Sequence, residues 1–218
     1  MKYYEGLTNY NHLYSVDQAQ YKREFTLYHI KKDYQECGLK AFEHVYEIGE
    51  NFRCGKLDNY YFVIKPNGSL INRAFNYVGN FREERCVVMY EYPCQKSPYF
   101  EHCGNLLDTD GKLVFDHHQF VYIGNFVNGI ATVCLHGGIH NYIDKTGKIL
   151  FPQFPDLTNT FEFNCGWGCI QRNYKEYNYI NTEGKLLLPE WVDKAWDFED
   201  NKARIIINGV EKFIEINK

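Results

Sequence analysis

Cysteine and histidine are the residue types in this chain that could bind a metal or carry out covalent chemistry, and the sequence has 8 of each. Cys94, His102 and Cys103 place soft metal ligands in one short segment. Adjacent residues of an extended chain point to opposite faces, and no Cys-x-x-Cys pair accompanies these three. This grouping therefore predicts no metal site.

Two further histidine groupings are His117-His118 and the pair His136 and His140. On a strand, residues four apart share a face but lie about 13 Å apart, which is too far for one metal ion. A helix would bring them together, yet two glycines lie between them and argue against a helix. We interpret these histidines as exposed turn residues, and the sequence predicts no metal and no other cofactor.

The sequence carries no motif of a known nucleophilic or phosphate-binding site. Gly-x-Ser-x-Gly, the P-loop and Gly-x-Gly-x-x-Gly are all absent. A cysteine–histidine nucleophilic pair needs proximity in space, which sequence spacing does not show. A small enzyme or small-ligand-binding protein that uses a Cys/His pocket between repeat units therefore stays open as an alternative function.

Charge and composition favour a cytoplasmic β-protein. Lys and Arg total 24 against 28 for Asp and Glu, with no long run of either sign, which disfavours a nucleic acid or an anionic membrane as partner. No stretch has the apolar length of a signal peptide or a membrane span. The 19 Tyr, 16 Phe and 17 Gly favour strands and tight turns, and we expect reduced, buried cysteines.

Four short stretches with a final glycine predict hairpin turns between strands. Asp or Asn suits the first position of a type I turn, and glycine suits the left-handed position that closes it. Apolar strand-like residues flank each stretch on both sides. The predicted turns are Lys65–Gly68, Asp108–Gly111, Asp144–Gly147 and Asn181–Gly184.

A weaker fifth copy of the turn is predicted at Gly38, after the strand-like segment Phe25–Ile30. A capping box at Ser15–Gln18 predicts a short helix over residues 16–24 as an N-terminal cap. A phenylalanine follows each of the five glycines by 13 to 15 residues, and in the last four units a small residue recurs five positions later, as stacked units require. These structural core residues are Phe52, Phe81, Phe126, Phe161 and Phe198.

The pattern predicts one all-β domain built of antiparallel three-stranded repeat units. Stacked as an elongated, solenoid-like array, the units would expose strand edges at both ends, and a small five-blade propeller is the alternative. The N-terminal cap and first strand cover residues 1–37. The predicted units are 38–67, 68–110, 111–146, 147–183 and 184–218.

Tyr142–Pro152 and Tyr179–Pro189 resemble the core of bacterial WG-repeat proteins, whose units place a Trp-Gly pair before a Tyr-Ile-Asp type turn. The resemblance covers about residues 38 to 218 and implies a β-repeat module that serves in protein interaction. The signature pair is missing here. Asn105, Asn141 and Asn178 stand at its second position, where we expect them to keep a left-handed turn.

The second predicted unit is longer than its neighbours, and the excess falls in residues 91–103. Insertions in one unit of a repeat often carry its specificity, so this segment predicts a partner-binding loop. Its binding residues are predicted to be Tyr92, Tyr99, Phe100 and His102. The sequence therefore predicts a non-enzymatic protein-interaction module, for example an inhibitor or immunity-type partner of a bacterial toxin or effector.

Overall fold

The computed structural model describes residues 16–93, 100–115 and 120–216, with side chains for 27–90, 103–115 and 120–216. The chain divides into two compact parts, Met1–Gly79 with Val88–Cys103 and Asn80–Val87 with Gly104–Lys218. Within the described residues, no helix has the length and apolar character needed to cross a membrane.

The described residues contain five successive groups of three strands, here called trios 1 to 5. Within each of trios 1, 3, 4 and 5, neighbouring strands pair antiparallel. The strands are β1 His44–Gly49, β2 Phe52–Leu57 and β3 Tyr60–Ile64; β4 Tyr77–Arg82, β5 Arg85–Pro93 and β6 Phe100–Leu107; β7 Phe120–Ile123, β8 Ile130–Leu135 and β9 His140–Asp144; β10 Leu157–Asn164, β11 Trp167–Arg172 and β12 Glu176–Asn181; and β13 Lys194–Ala195, β14 Lys202–Ile207 and β15 Val210–Glu215. The predicted all-β repeat class is confirmed, whereas the choice between open array and propeller stays a prediction.

One α-helix, α1 Val16–Cys37, precedes the trios. The predicted strand Phe25–Ile30 is therefore wrong, and the helix is longer than predicted. Leu27, Ile30 and Tyr34 follow helical spacing and pack in one cluster, so tertiary contacts override the local strand preference of these aromatic and branched residues. Gly38, at a φ of 60°, ends the helix rather than closing a hairpin, and a short 3-10 turn, Gly38–Ala41, follows.

A two-residue turn joins the first and second strands of every trio, and both of its residues have positive φ. This is the signature of a type I′ turn, whose twist matches the strands that it connects. Most of these turn residues are not glycine, so the sequence pattern did not indicate them. The turns are Glu50-Asn51, Glu83-Glu84, Asn128-Gly129, Cys165-Gly166 and Asp200-Asn201.

Aligning the trios on these turns shifts the predicted phenylalanine column. Phe81, Phe126 and Phe198 lie two positions before their turns; Phe126 and Phe198 are buried and Phe81 is half-buried. In trio 4 the equivalent residue is the buried Phe163, because irregular pairing in β10 places the half-buried Phe161 out of register. In trio 1 the equivalent is Ile48, and the buried Phe52 lies on the other side of the turn.

This alignment also defines a column of small, buried residues two positions after each turn in trios 2 to 5. In trio 4 the small residue is Gly168, where an added Cβ would lie 2.6 Å from the Tyr142 hydroxyl oxygen. A side chain there would push trios 3 and 4 apart, which explains the small residue. The column is Cys86, Ala131, Gly168 and Ala203.

The four predicted glycine turns follow the third strands of trios 1 to 4. In each turn the glycine N–H donates to the carbonyl oxygen three residues earlier, at 2.9 to 3.0 Å, and the glycine φ is positive. The strands predicted after these turns are reduced to single bridging residues. These bridges join Ile64 to Leu70, Leu107 to Leu113, Ile143 to Ile149 and Ile180 to Leu186.

The core of the second compact part forms where successive trios pack face to face. We call the face of a trio that contacts the next trio its forward face, and the opposite face its back face. Tyr142 of trio 3 packs with Phe163 and Ile170 of trio 4. Tyr179 of trio 4 packs in the same way with Phe198 and Ile205 of trio 5. Each forward face in these pairs is thus buried by the trio that follows.

Candidate interaction surface

One position of the repeat changes from fully buried to exposed along the chain. It lies in the third strand, two residues before the first residue of the following turn, and its side chain is on the forward face. In trios 1 to 4 this residue is 0% exposed, whereas Phe213 in trio 5 is 70% exposed. The four buried equivalents are Val63, Leu106, Tyr142 and Tyr179. Phe213 therefore marks a repeat face that no described residue covers.

Phe213 lies in one row with an arginine and a tryptophan. Arg204 is the direct partner of Phe213 in the pairing of β14 with β15. The Arg204 guanidinium stacks on the Trp196 ring, 3.8 Å from its centroid. The backbone N–H of Trp196 donates a hydrogen bond to the backbone carbonyl oxygen of Arg204. Trp196 is 36% exposed. The row presents two aromatic rings and one cation together.

Charged side chains surround this row on the same face. Lys202 and Glu215 approach to 3.7 Å, as do Arg204 and Glu211, and Lys194 is exposed. Exposed pairs of this kind add little to stability. An apolar centre with a charged rim is nevertheless the usual anatomy of a protein-binding patch. We call Lys194, Trp196, Lys202, Arg204 and Phe213 the end face.

The three asparagines predicted to keep a left-handed turn do something else. They lie inside third strands, have no positive φ and are buried. The Asn141 side-chain N–H donates to the Phe151 carbonyl oxygen at 2.9 Å, and its Oδ1 accepts from the Phe151 N–H at 3.2 Å. Asn105 and Asn178 make the equivalent pair of bonds ten residues ahead. Each asparagine side chain thus hydrogen-bonds the backbone of the segment after its own glycine turn. In trio 5 the equivalent residue is Lys212.

Two segments of the chain match the WG containing repeat family, residues 106–138 and 179–210. Each runs from a third strand, through its glycine turn, to just past the second strand of the next trio. These two segments are WG repeats. The WG-repeat fold is of the kind that is typical of protein-interaction modules, because stacked repeats offer extended surfaces.

Solved structures similar to this chain are distant from it. The computationally designed Ika8 protein is 15% identical over 75% of this chain and 57% of its own, with a TM-score of 0.38. The designed Ika4 protein is 16% identical over 63% of this chain and 88% of its own, with a TM-score of 0.37. A eukaryotic initiation factor is 9% identical over 77% of this chain and 50% of its own, with a TM-score of 0.46. The chain thus spans 57% of Ika8 and 50% of the initiation factor. No curated protein matches it in sequence.

Most of the described cysteines of this chain are small buried core residues. Burial, and secondarily the charge of Asp197, raises the pKa of the Cys169 thiol to about 12. Burial also raises the pKa of Cys54, Cys103 and Cys134. A nucleophilic cysteine needs a lowered pKa, so these four do not suit the Cys/His enzyme alternative. Cys37 and Cys165 are exposed.

A shallow groove lies between trios 3 and 4. It holds about 160 Å³ of empty space, open to solvent, and is lined by residues that include Val127, Thr132, Tyr142 and Glu162. No cysteine or histidine lines it. Its volume lies well below the roughly 300–1,000 Å³ of ordinary small-molecule sites.

The histidine and metal predictions fall partly within the described residues. His140 begins β9 and is half-buried, and this burial lowers its pKa. His136 is an exposed turn residue directly after β8, just before two glycines of positive φ. His117 and His118 lie outside the described residues. Among the described residues no group of three or more His, Cys, Asp or Glu could hold a metal ion.

The described residues of the predicted partner-binding segment, 91–93 and 100–103, lie in strands. Tyr92 lies in β5, while Phe100 and His102 lie in β6. Their side chains, and Tyr99 altogether, lie outside the described part of the chain. The sequence did not indicate the end face, although Phe213-Ile214-Glu215 matches the strand before a turn. That match places Phe213 in a column of buried residues, whereas the structure shows it exposed.

Proposed function

We propose that this protein is a non-enzymatic interaction module that binds a protein partner through its end face. The exposure of Phe213 carries the proposal, because its four equivalents are completely buried by the fold. Aromatic residues and arginine are the types that supply most of the binding energy in protein interfaces. Phe213, Arg204 and Trp196 bring three such side chains into one row.

A comparison of two exposed aromatic residues tests the proposal. Phe213→Ser removes the centre of the end face, and Tyr174→Ser is the matched control because Tyr174 is 75% exposed on a turn of trio 4. Both variants and the original chain are used as bait in extracts of the native host, and each captured partner is then purified and titrated. We expect Phe213→Ser to weaken the direct interaction at least about tenfold, as for an interface hot spot, and Tyr174→Ser to leave it unchanged.

Equal affinity of the purified partner for Phe213→Ser and the original chain would contradict the end-face proposal. Melting temperatures of both variants are measured in parallel. Because both side chains are exposed, neither substitution should alter folding, and a loss of binding can then be attributed to the surface.

The narrower form of the proposal is an inhibitor or immunity-type partner of a bacterial toxin or effector, acting in the cytoplasm. The mildly acidic net charge of −4 and the lack of a catalytic motif are compatible with this role. Co-expression with the captured partner tests it, because an inhibitor should restore growth that the partner alone prevents. Continued growth arrest in the presence of a bound complex would contradict this form.

Segment 91–103 is a second proposed contact, with Tyr92, Tyr99, Phe100 and His102 as its binding residues. Its support is its extra length and its aromatic content. A variant with this segment shortened is titrated against the same purified partner. Unchanged affinity would remove the segment from the interface while leaving the end face in place.

A further inference from the structure

We call the edge of a third strand that faces away from the second strand its outer edge. In trios 3 and 4 a later segment of the chain forms hydrogen bonds to this edge. The Tyr142 carbonyl oxygen accepts a hydrogen bond from the Leu150 N–H at 2.9 Å, and Tyr179 accepts the equivalent bond from Leu187 at 3.0 Å. Tyr177 exchanges two bonds of 2.9 Å with Val192. The fold therefore adds a strand-like segment to this edge in both trios.

The same edge of β15 has no such segment among the described residues. Phe213 pairs with Arg204 as Tyr179 pairs with Cys169, so Glu211, Phe213 and Glu215 direct their backbone groups outward. No described backbone group bonds to them from outside the trio. An open edge of this kind is a template for an added strand.

Lys212 gives this edge a chemical preference. Asn178, at the equivalent position of trio 4, donates to the carbonyl oxygens of Leu188 and Glu190. Lys212 is exposed and forms no ion pair with any described residue, and an ammonium group only donates. A strand added beside Lys212 is therefore favoured when it carries a carboxylate there.

A second copy of this chain is disfavoured at this edge in the two registers centred on Phe213 and on Lys212. Antiparallel pairing of two β15 strands with Phe213 opposite Phe213 places Glu211 opposite Glu215 twice. Shifting the register by one hydrogen-bonded position places Lys212 opposite Lys212. Like charges directly opposite each other destabilise a strand pair, so both registers are disfavoured.

We infer that the protein partner adds an antiparallel strand to the outer edge of β15, with an acidic side chain opposite Lys212 and an apolar one opposite Phe213. This inference rests on the proposed function, since it describes how a partner engages the end face. Backbone hydrogen bonds hold the added strand, and the two side-chain positions select it. Basic residues opposite Glu211 and Glu215 complete the complementary pattern.

A synthetic strand peptide with the sequence Thr-Lys-Val-Tyr-Asp-Lys-Thr serves as the probe, because in antiparallel register it places Tyr opposite Phe213 and Asp opposite Lys212. The control peptide has Lys in place of Asp. Each is titrated into the isotope-labelled full chain and followed by NMR. We expect the shifts to be confined to trio 5, amide exchange of Glu211 and Glu215 to slow, and the Asp peptide to bind at least about threefold tighter.

The charge-swapped variant Lys212→Glu sharpens the test, because the order of the two peptides should reverse. Shifts outside trio 5, equal affinities, or no binding of either peptide would overturn the inference. Dimerisation of the chain that Phe213→Ser abolishes would also overturn it, in favour of a second copy. Loss of partner binding in Phe213→Ser, together with no peptide binding, would refute strand addition while leaving the proposed function standing.

Discussion

The two ends of the repeat series differ in how a repeat face is covered. In the first compact part, helix α1 lies on the back face of trio 1, where Ile30 is 1% exposed and packs with Phe42, Phe62 and Ile64. In the second compact part, the forward face of trio 5 presents Phe213 to solvent. Repeat proteins need terminal caps because every repeat has two faces to bury. Among the described residues, α1 thus buries a face of trio 1, while the forward face of trio 5 stays exposed.

The largest expected effect comes from replacing the equivalent third-strand residue where it is buried, Tyr179, and where it is exposed, Phe213. Tyr179→Ala removes a fully buried ring whose hydroxyl donates to the Trp196 carbonyl oxygen at 2.6 Å. We expect a loss of about 3–5 kcal/mol in the free energy of unfolding. Phe213→Ala should change it by less than about 0.5 kcal/mol. Urea denaturation measures both, and similar losses in the two variants would contradict the contrast.

The helix side of the comparison is tested by a second pair. Ile30→Ala opens a cavity under α1, and we expect it to lower the free energy of unfolding by about 2–4 kcal/mol. Tyr28→Ala is the control, because Tyr28 is exposed on the same helix. Thermal and urea denaturation should leave the control unchanged. If Ile30→Ala were as stable as the control, α1 would not act as a cap.

Two glycine turns repeat the contrast between covered and open positions at smaller scale. A Cβ at Gly147 would overlap the Phe115 ring, whereas a Cβ at Gly68 would meet no atom within 4 Å. Both glycines have positive φ. We expect Gly68→Ala to cost about 1 kcal/mol from backbone strain alone. Gly147→Ala should cost about 1–3 kcal/mol more from overpacking, and equal melting temperatures would show that Phe115 does not crowd the turn.

The smallest effect concerns acid stability at the turn residue Asp144. Partial burial acts to raise the pKa of Asp144, but hydrogen bonds from the Thr146 hydroxyl and the Lys148 and Thr146 N–H groups hold it below its ordinary value of 3.8. Its carboxylate therefore stabilises the fold above pH 3.8, and this contribution is lost as the pH falls through the lowered pKa. Asp144→Asn should flatten the acid limb of stability against pH. An acid limb as steep in this variant as in the original chain would contradict the assignment.

The sequence predicted the repeat because its turns combine residue types with narrow conformational preferences. Asp108, Asp144 and Asn181 each accept hydrogen bonds at Oδ1 from two backbone N–H groups of their own turn, so the local sequence determines these turns. The position of the buried phenylalanine in trio 4 could not be predicted, since irregular pairing in β10 changes which phenylalanine is buried. Helix α1 was missed because contacts with trio 1 outweigh local strand preference.

The end face could not be predicted for a different reason. Phe213 occupies the same column as Tyr142 and Tyr179, and all three are aromatic residues followed by isoleucine. Nothing local distinguishes the exposed ring from the buried ones. Exposure depends on whether another trio follows in space, which is a property of the assembled fold. The composition of the row, with Trp196 and Arg204 beside Phe213, becomes visible only through strand register.

The buried asparagines have a consequence for how such chains can change in length. The Asn141 and Asn178 amides each bind a segment ten residues ahead, so these bonds lie within the stretch that starts at the asparagine. We call that stretch a cassette. A gene duplication or deletion of one whole cassette would carry its asparagine bonds with it.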